Sequence, residues 1–74
     1  MEIKVGDIYK HSKKGGTYKI LAIAKDSETL EDLVIYETLY ENDLVKIWAR
    51  PLSNFTEMVE VGGEMVPRFV KITN

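Results

Sequence analysis

Not one cysteine occurs in this chain of 74 residues, and that absence most constrains what it can fold into. A domain of this size buries only about 60% of the surface its unfolded chain exposes. Below roughly 70–80 residues a hydrophobic core rarely supplies more than about 3–5 kcal/mol. Small domains often add disulfides or a metal, but disulfides, thiolate-held zinc, iron–sulfur clusters and thiolate catalysis are all impossible here. A single histidine, His11, serves a catalytic zinc poorly, so neither a metal nor a cofactor is expected. The fold must therefore stand on packing, alone or with self-association, as a monomer or a weak homo-oligomer. Hydrophobic residues at 45% and charged ones at 30% suit one globular domain over residues 1–74.

The formal net charge is −2, which argues against a general nucleic-acid binder, because phosphate neutralisation dominates such affinity. The distribution is uneven. Lys4, Lys10, Lys13, Lys14, Lys19 and Lys25 face only Glu2 and Asp7 in the first third, whereas residues 26–64 are strongly acidic with only Lys46 and Arg50 as bases. Such asymmetry marks either a binding face or complementary strands within one sheet. No apolar run approaches the ~18–20 residues of a membrane helix, and the N-terminus lacks the features of a signal peptide. The absence of cysteine fits a reducing compartment, so a cytoplasmic location is expected.

The periodicity is that of strands. Ile8 to His11 alternates, and Ser12-Lys13-Lys14-Gly15-Gly16 breaks it with a turn. Thr17 to Lys25 reads as a longer strand with apolar residues on both faces, as in a strand curling through a barrel. Asp26 to Asp32 is rich in residues that hydrogen-bond their own backbone, hence a loop. Leu33 to Tyr40 is dense in β-branched and aromatic residues, with Val34, Tyr36, Thr38 and Tyr40 on one face. Glu41-Asn42-Asp43 predicts a turn, and Val45 to Arg50 its partner strand, with Lys46, Trp48 and Arg50 on one side. Pro51 ends that strand. Asn54 and Glu57 have the spacing of a capping box, predicting a short helical turn near residues 52–57. Met58 to Val61, Gly62-Gly63 and Glu64 to Ile72 read as a closing hairpin, with Pro67 at an edge or bulge.

The expected fold is mainly all-β: a small SH3-like antiparallel barrel of five to six short strands with one helical turn, since closure removes exposed edges. An α+β sheet of three strands covered by a helix over Leu30 to Tyr40 is the alternative.

Chemistry has few places to live. His11 alone titrates near neutrality, but no Ser lies in a nucleophile-elbow or triad-like context, and a half-exposed strand-end histidine is the plainer reading. The acidic loop lacks the glycine and spacing of a calcium site. Lys14-Gly15-Gly16 precedes a strand, so it is not a phosphate loop. The more specific set is aromatic: Tyr9, Tyr18, Tyr36, Tyr40 and Trp48, with His11, Arg50 and Arg68. If the strands flanking residues 41–43 pair, the Tyr36–Tyr40 face meets the Trp48–Arg50 face. An aromatic–arginine surface suits a peptide, a single-stranded base or a planar ligand. The competing use of the same rings is as core.

These residues also carry a resemblance. Tyr9-Lys10-His11, Gly15-Gly16 with Tyr18, Ala24 with Ser27-Glu28-Thr29, Val34, Tyr36, Leu39-Tyr40, Trp48 with Arg50-Pro51, Phe55 and Val66-Pro67-Arg68-Phe69 stand in an order and spacing that resembles the small bacterial proteins grouped as domain of unknown function 1653. The resemblance runs from about Gly6 to Phe69. Lys25-Asp26, Glu41 and Ala49 depart from the family pattern, and with the second histidine absent, two-histidine chemistry has no basis. The resemblance implies a bacterial, cytoplasmic protein and draws His11, Ser27-Glu28-Thr29, Trp48 and Arg50 together as one set.

Three functions follow as expectations. The first is a non-enzymatic binding module for a protein segment or small ligand, with Tyr36, Tyr40, Trp48, Arg50 and Arg68 as its surface and His11, Ser27, Glu28 and Thr29 at its rim. The second is a single-stranded nucleic-acid binder that uses the N-terminal lysines. The third is a small enzyme pairing His11 with Ser27 or Glu28.

Overall fold

The computed structural model describes residues 3–41 and 46–73. In chain order they form β1 (Ile8–His11), β2 (Thr17–Lys25), β3 (Asp32–Thr38), β4 (Ile47–Pro51), α1 (Leu52–Phe55), β5 (Met58–Val61), β6 (Glu64–Pro67) and β7 (Phe69–Lys71). The mainly all-β expectation holds, and all strand pairs are antiparallel.

The barrel does not. Five strands form an open sheet in the order β4-β3-β2-β1-β7, while β5 and β6 pair only with each other. The outer strands β4 and β7 do not meet, so the sheet keeps two edges. The expected last strand also divides in two. Its first part stays in the Gly62-Gly63 hairpin, where both glycines have positive φ and supply a primed turn. After Arg68 the chain leaves that hairpin and pairs β7 with β1 instead.

The long β2 strand shows why its alternation looked two-faced. Ile20 pairs with Tyr36 and Ala22 with Ile35, so Leu21 is the extra residue of a bulge. Before the bulge Tyr18 and Ile20 are buried; beyond it Ile23 is exposed. A bulge bends the strand and raises its twist, which accounts for apolar residues on both faces without closure. On β3 the inner face is Val34, Tyr36 and Thr38, as the alternation predicts. The predicted turn at 41–43 and the start of the following strand at Val45 lie largely outside the described residues.

The core is one cluster of Tyr9, Tyr18, Ile20, Val34, Tyr36, Phe55 and Phe69, with Trp48, Leu52 and Ile3 packed against it. Its centre is the stack of Phe55 on Phe69, 4.1 Å between centroids and 4° from parallel. Tyr9 meets Phe55 edge-on at 5.3 Å, and Tyr18 meets Phe69 edge-on at 5.6 Å. Aromatic pairs of this geometry add about 0.5–1.5 kcal/mol each beyond area burial, which suits a chain that must stand on packing. The short α1 helix delivers Phe55 to this stack. Its predicted capping box is not formed, because the N-cap residue is Pro51 and no side chain caps the helix. Asn54 and Glu57 are drawn away to Arg50 and Arg68 instead.

Candidate functional site

The pairing of β3 with β4 places Tyr36 opposite Trp48 and Val34 opposite Arg50. The two faces read separately from sequence therefore coincide. Above them Leu39 donates its N–H to the Thr17 carbonyl, which extends the β2–β3 ladder and carries Tyr40 over the start of β2. The result is a recess of about 100 Å³ lined by Lys14, Tyr18, Tyr36, Tyr40, Trp48 and Arg50. That is several times the ~10–15 Å³ a water molecule requires. It falls well short of the ~300–1,000 Å³ of sites that engulf a drug-sized ligand. A ring or an end group fits; a whole large molecule does not.

Hydrogen bonds fix the walls. The hydroxyls of Tyr18 and Tyr40 lie 2.9 Å apart and share a hydrogen bond. Tyr18 meets Tyr36 edge-on at 5.2 Å. Arg50 donates from Nε to the Tyr36 hydroxyl at 3.2 Å and from Nη1 to Asn54 Oδ1 at 2.5 Å. Its guanidinium carbon also sits 5.3 Å from the centroid of Phe69. Tyr18 and Tyr36 are buried, Trp48 and Arg50 are half-buried, and Tyr40 is 44% exposed. The aromatic set thus divides: its inner rings are core, and its outer rings remain open to solvent. Burial, followed by the hydrogen bond to Tyr40, raises the Tyr18 hydroxyl above the usual phenol range, so it stays protonated.

His11 lies behind this recess. It is buried, with its ring edge-on to Phe69 at 4.9 Å. Its Nδ1 accepts the backbone N–H groups of Lys13 and Lys14, each at 3.2 Å. Burial, and then the positive charges of Lys14, Arg50, Arg68 and Lys13, hold its pKa below the ordinary histidine value. A neutral imidazole with Nδ1 as acceptor organises the turn that presents Lys14. Arg68 donates from Nε to the Asn54 carbonyl and pairs with Glu57 at 3.2 Å, so it buttresses the segment after α1 and does not line the recess.

Ser27, Glu28 and Thr29 are elsewhere. They occupy the β2–β3 loop, at the opposite end of the nine-residue β2, which spans roughly 25 Å at the usual rise per residue. Asp26 Oδ1 accepts the N–H groups of Glu28 and Thr29, a local turn that lowers the Asp26 pKa through those two bonds. The structure does not bring His11 together with Ser27 or Glu28. Of the lysines in the first third, Lys14 lines the recess, Lys10 borders a shallow aliphatic groove beside β7, and Lys25 pairs with Asp32. Among the described residues no group of three or more His, Asp or Glu could hold a metal ion, and no helix is long and apolar enough to cross a membrane.

Sequence reasoning passed over Lys14, Gly16 and Asn54 as site elements, and left Tyr18 in the wider aromatic set. The signal for Gly16 and Tyr18 was their two-residue spacing after a turn, which puts the glycine on the same face as the ring.

A family model described as "Protein of unknown function (DUF1653)" matches residues 7–71. The chain belongs to the DUF1653 family. A crystal structure of a DUF1653 protein from Bordetella bronchiseptica is similar to it with a TM-score of 0.81 and 34% identity, covering 92% of this chain and 85% of that one. No curated protein matches it. The resemblance read from the order of the aromatic and arginine residues is therefore borne out. The span matched to DUF1653 takes in every residue that lines the recess.

Proposed function

We propose that this DUF1653 chain is a non-enzymatic binding module, and that the aromatic–arginine recess receives a small ligand or the end of a protein segment. One observation carries the reading. Three tyrosines, a tryptophan and an arginine from β2, β3, β4 and the segment after β3 converge on a single recess, held in place by hydrogen bonds yet open at Tyr40. Ring surface with convergent polar groups beside it in one concavity is what a ligand site offers. The aliphatic groove beside β7 is larger, about 410 Å³, but shallow, and no aromatic ring among the described residues lines it.

The test is a ring-fragment screen read by amide and indole chemical shifts on the labelled protein. Hits are expected to cluster on Tyr36, Tyr40, Trp48 and Arg50. Hits confined to Val61, Val66, Val70 and Ile72 would move the site to the aliphatic groove and overturn the assignment.

A further inference from the structure

The charges around the recess narrow the chemistry of its ligand. Arg50 is half-buried, and each contact that positions it is neutral: the Tyr36 hydroxyl, the Asn54 side-chain carbonyl and the Phe69 ring. Among the described residues no carboxylate pairs with it, and none pairs with Lys14. Elsewhere the chain does pair its cations: Lys25 with Asp32, Lys46 with Glu37, Arg68 with Glu57 and Lys71 with Asp7. Among the described residues Lys10, Lys13 and Lys19 lack ion-pair partners too, but they are exposed, where water solvates the charge. Arg50 is different, because a charge removed from water is costly without a counter-charge.

Among the described residues no acidic one lines the recess. The position is notable in a chain with twelve acids, where a carboxylate in place of Asn54 would have neutralised the guanidinium. His11, just behind, adds no negative charge; burial first, and then the same cations, hold its pKa below the ordinary histidine value. Arginine has more N–H donors than its two hydrogen bonds here use, and its planar fork matches carboxylate and phosphate oxygens. Tyr40 and Trp48 offer ring surface beside those donors.

Resting on the binding-module reading, we propose that the recess takes an anionic group, a carboxylate or phosphate, carried on a flat ring. Arg50 is its counter-ion, Lys14 adds charge at the mouth, and the Tyr40 and Trp48 rings contact the flat part.

The probes are benzoate and phenyl phosphate, with benzamide and benzyl alcohol as neutral rings of similar shape, titrated at low ionic strength and followed by the Trp48 indole and Arg50 shifts. At least one anionic probe is expected to bind ten-fold or more tighter than benzamide, with affinity falling several-fold at physiological salt. The tighter of the two anions distinguishes a carboxylate from a phosphate ligand. Lys14→Gln removes an exposed charge whose side chain makes no hydrogen bond or ion pair among the described residues; it is expected to weaken the anions several-fold more than benzamide. Arg50→Gln is expected to abolish the preference, with the Lys14 variant as the check if folding suffers. Benzamide binding as tightly as the anions, at the same residues, would overturn the anion assignment and leave the binding reading standing. No shift at the recess with any ring probe would overturn both.

Discussion

Gly16 lies directly against the ring of Tyr40: a Cβ added there would stand 2.5 Å from Tyr40 Cε1 and 3.2 Å from the Tyr18 hydroxyl. The open mouth of the recess depends on this missing methyl group, because the glycine lets Tyr40 swing in far enough to bond Tyr18.

Gly16→Ala therefore separates site from fold. Filling a packed core costs about 1–3 kcal/mol, but Tyr40 is exposed enough to move aside. The expected loss is about 1 kcal/mol, measured by denaturant melting, accompanied by a large shift of the Tyr18 and Tyr40 ring resonances. Melting unchanged with both rings undisturbed would refute the contact.

Phe55→Ala removes one half of the central aromatic stack from a site 1% exposed. Truncations of this kind cost about 3–5 kcal/mol, as much as the whole margin of so small a domain. The variant is expected to be largely unfolded at 25 °C by circular dichroism, while Phe55→Leu retains a cooperative transition at lower temperature.

Trp48 carries the buried side-chain nitrogen that lacks a hydrogen-bond partner among the described residues. An unsatisfied buried donor costs about 1–3 kcal/mol, so Trp48→Phe removes a penalty along with packing. A net change within about 1 kcal/mol is expected in chemical denaturation, milder than its loss of volume implies. The same half-buried indole should be quenched by acrylamide at a rate between those of buried and free tryptophan.

His11 makes stability depend on pH. Its folded pKa lies below the ordinary value of about 6.5, so the unfolded chain takes up a proton that the folded chain resists. Stability from this group is complete above about pH 6.5 and is lost as pH falls from there through the folded pKa. Melting temperature is expected to drop across that window, and His11→Gln should flatten the drop. An identical pH profile in the variant would assign the effect to other groups.

Local pattern carried much of the fold. Alternation and the Gly15-Gly16 break delimit β1 and β2 as found, and the face shared by Val34, Tyr36 and Thr38 is the buried one. What it did not carry was closure. Whether β4 meets β7 depends on the bend at Leu21 and on the exit of the chain at Arg68, and neither leaves a periodic trace. The site was half legible for a related reason. Tyr36, Trp48 and Arg50 meet because adjacent strands pair in register, whereas Lys14 and Asn54 arrive through a turn and a helix end whose positions only tertiary contacts set. Ser27 to Thr29 is the converse case: close to the aromatic residues along the chain, it is held away by the length of β2.

Phe69 ties these elements together in another respect. It stacks on Phe55, abuts His11, Tyr18 and Tyr36, and underlies Arg50, yet it enters the sheet through the last strand, pairing with the first. During synthesis the β2–β3–β4 ladder can assemble as a meander while the floor beneath Arg50 is still missing. The recess is thus backed only once the last strand pairs with the first, and a nascent chain stalled before β7 would carry the lining rings without Phe69 beneath Arg50.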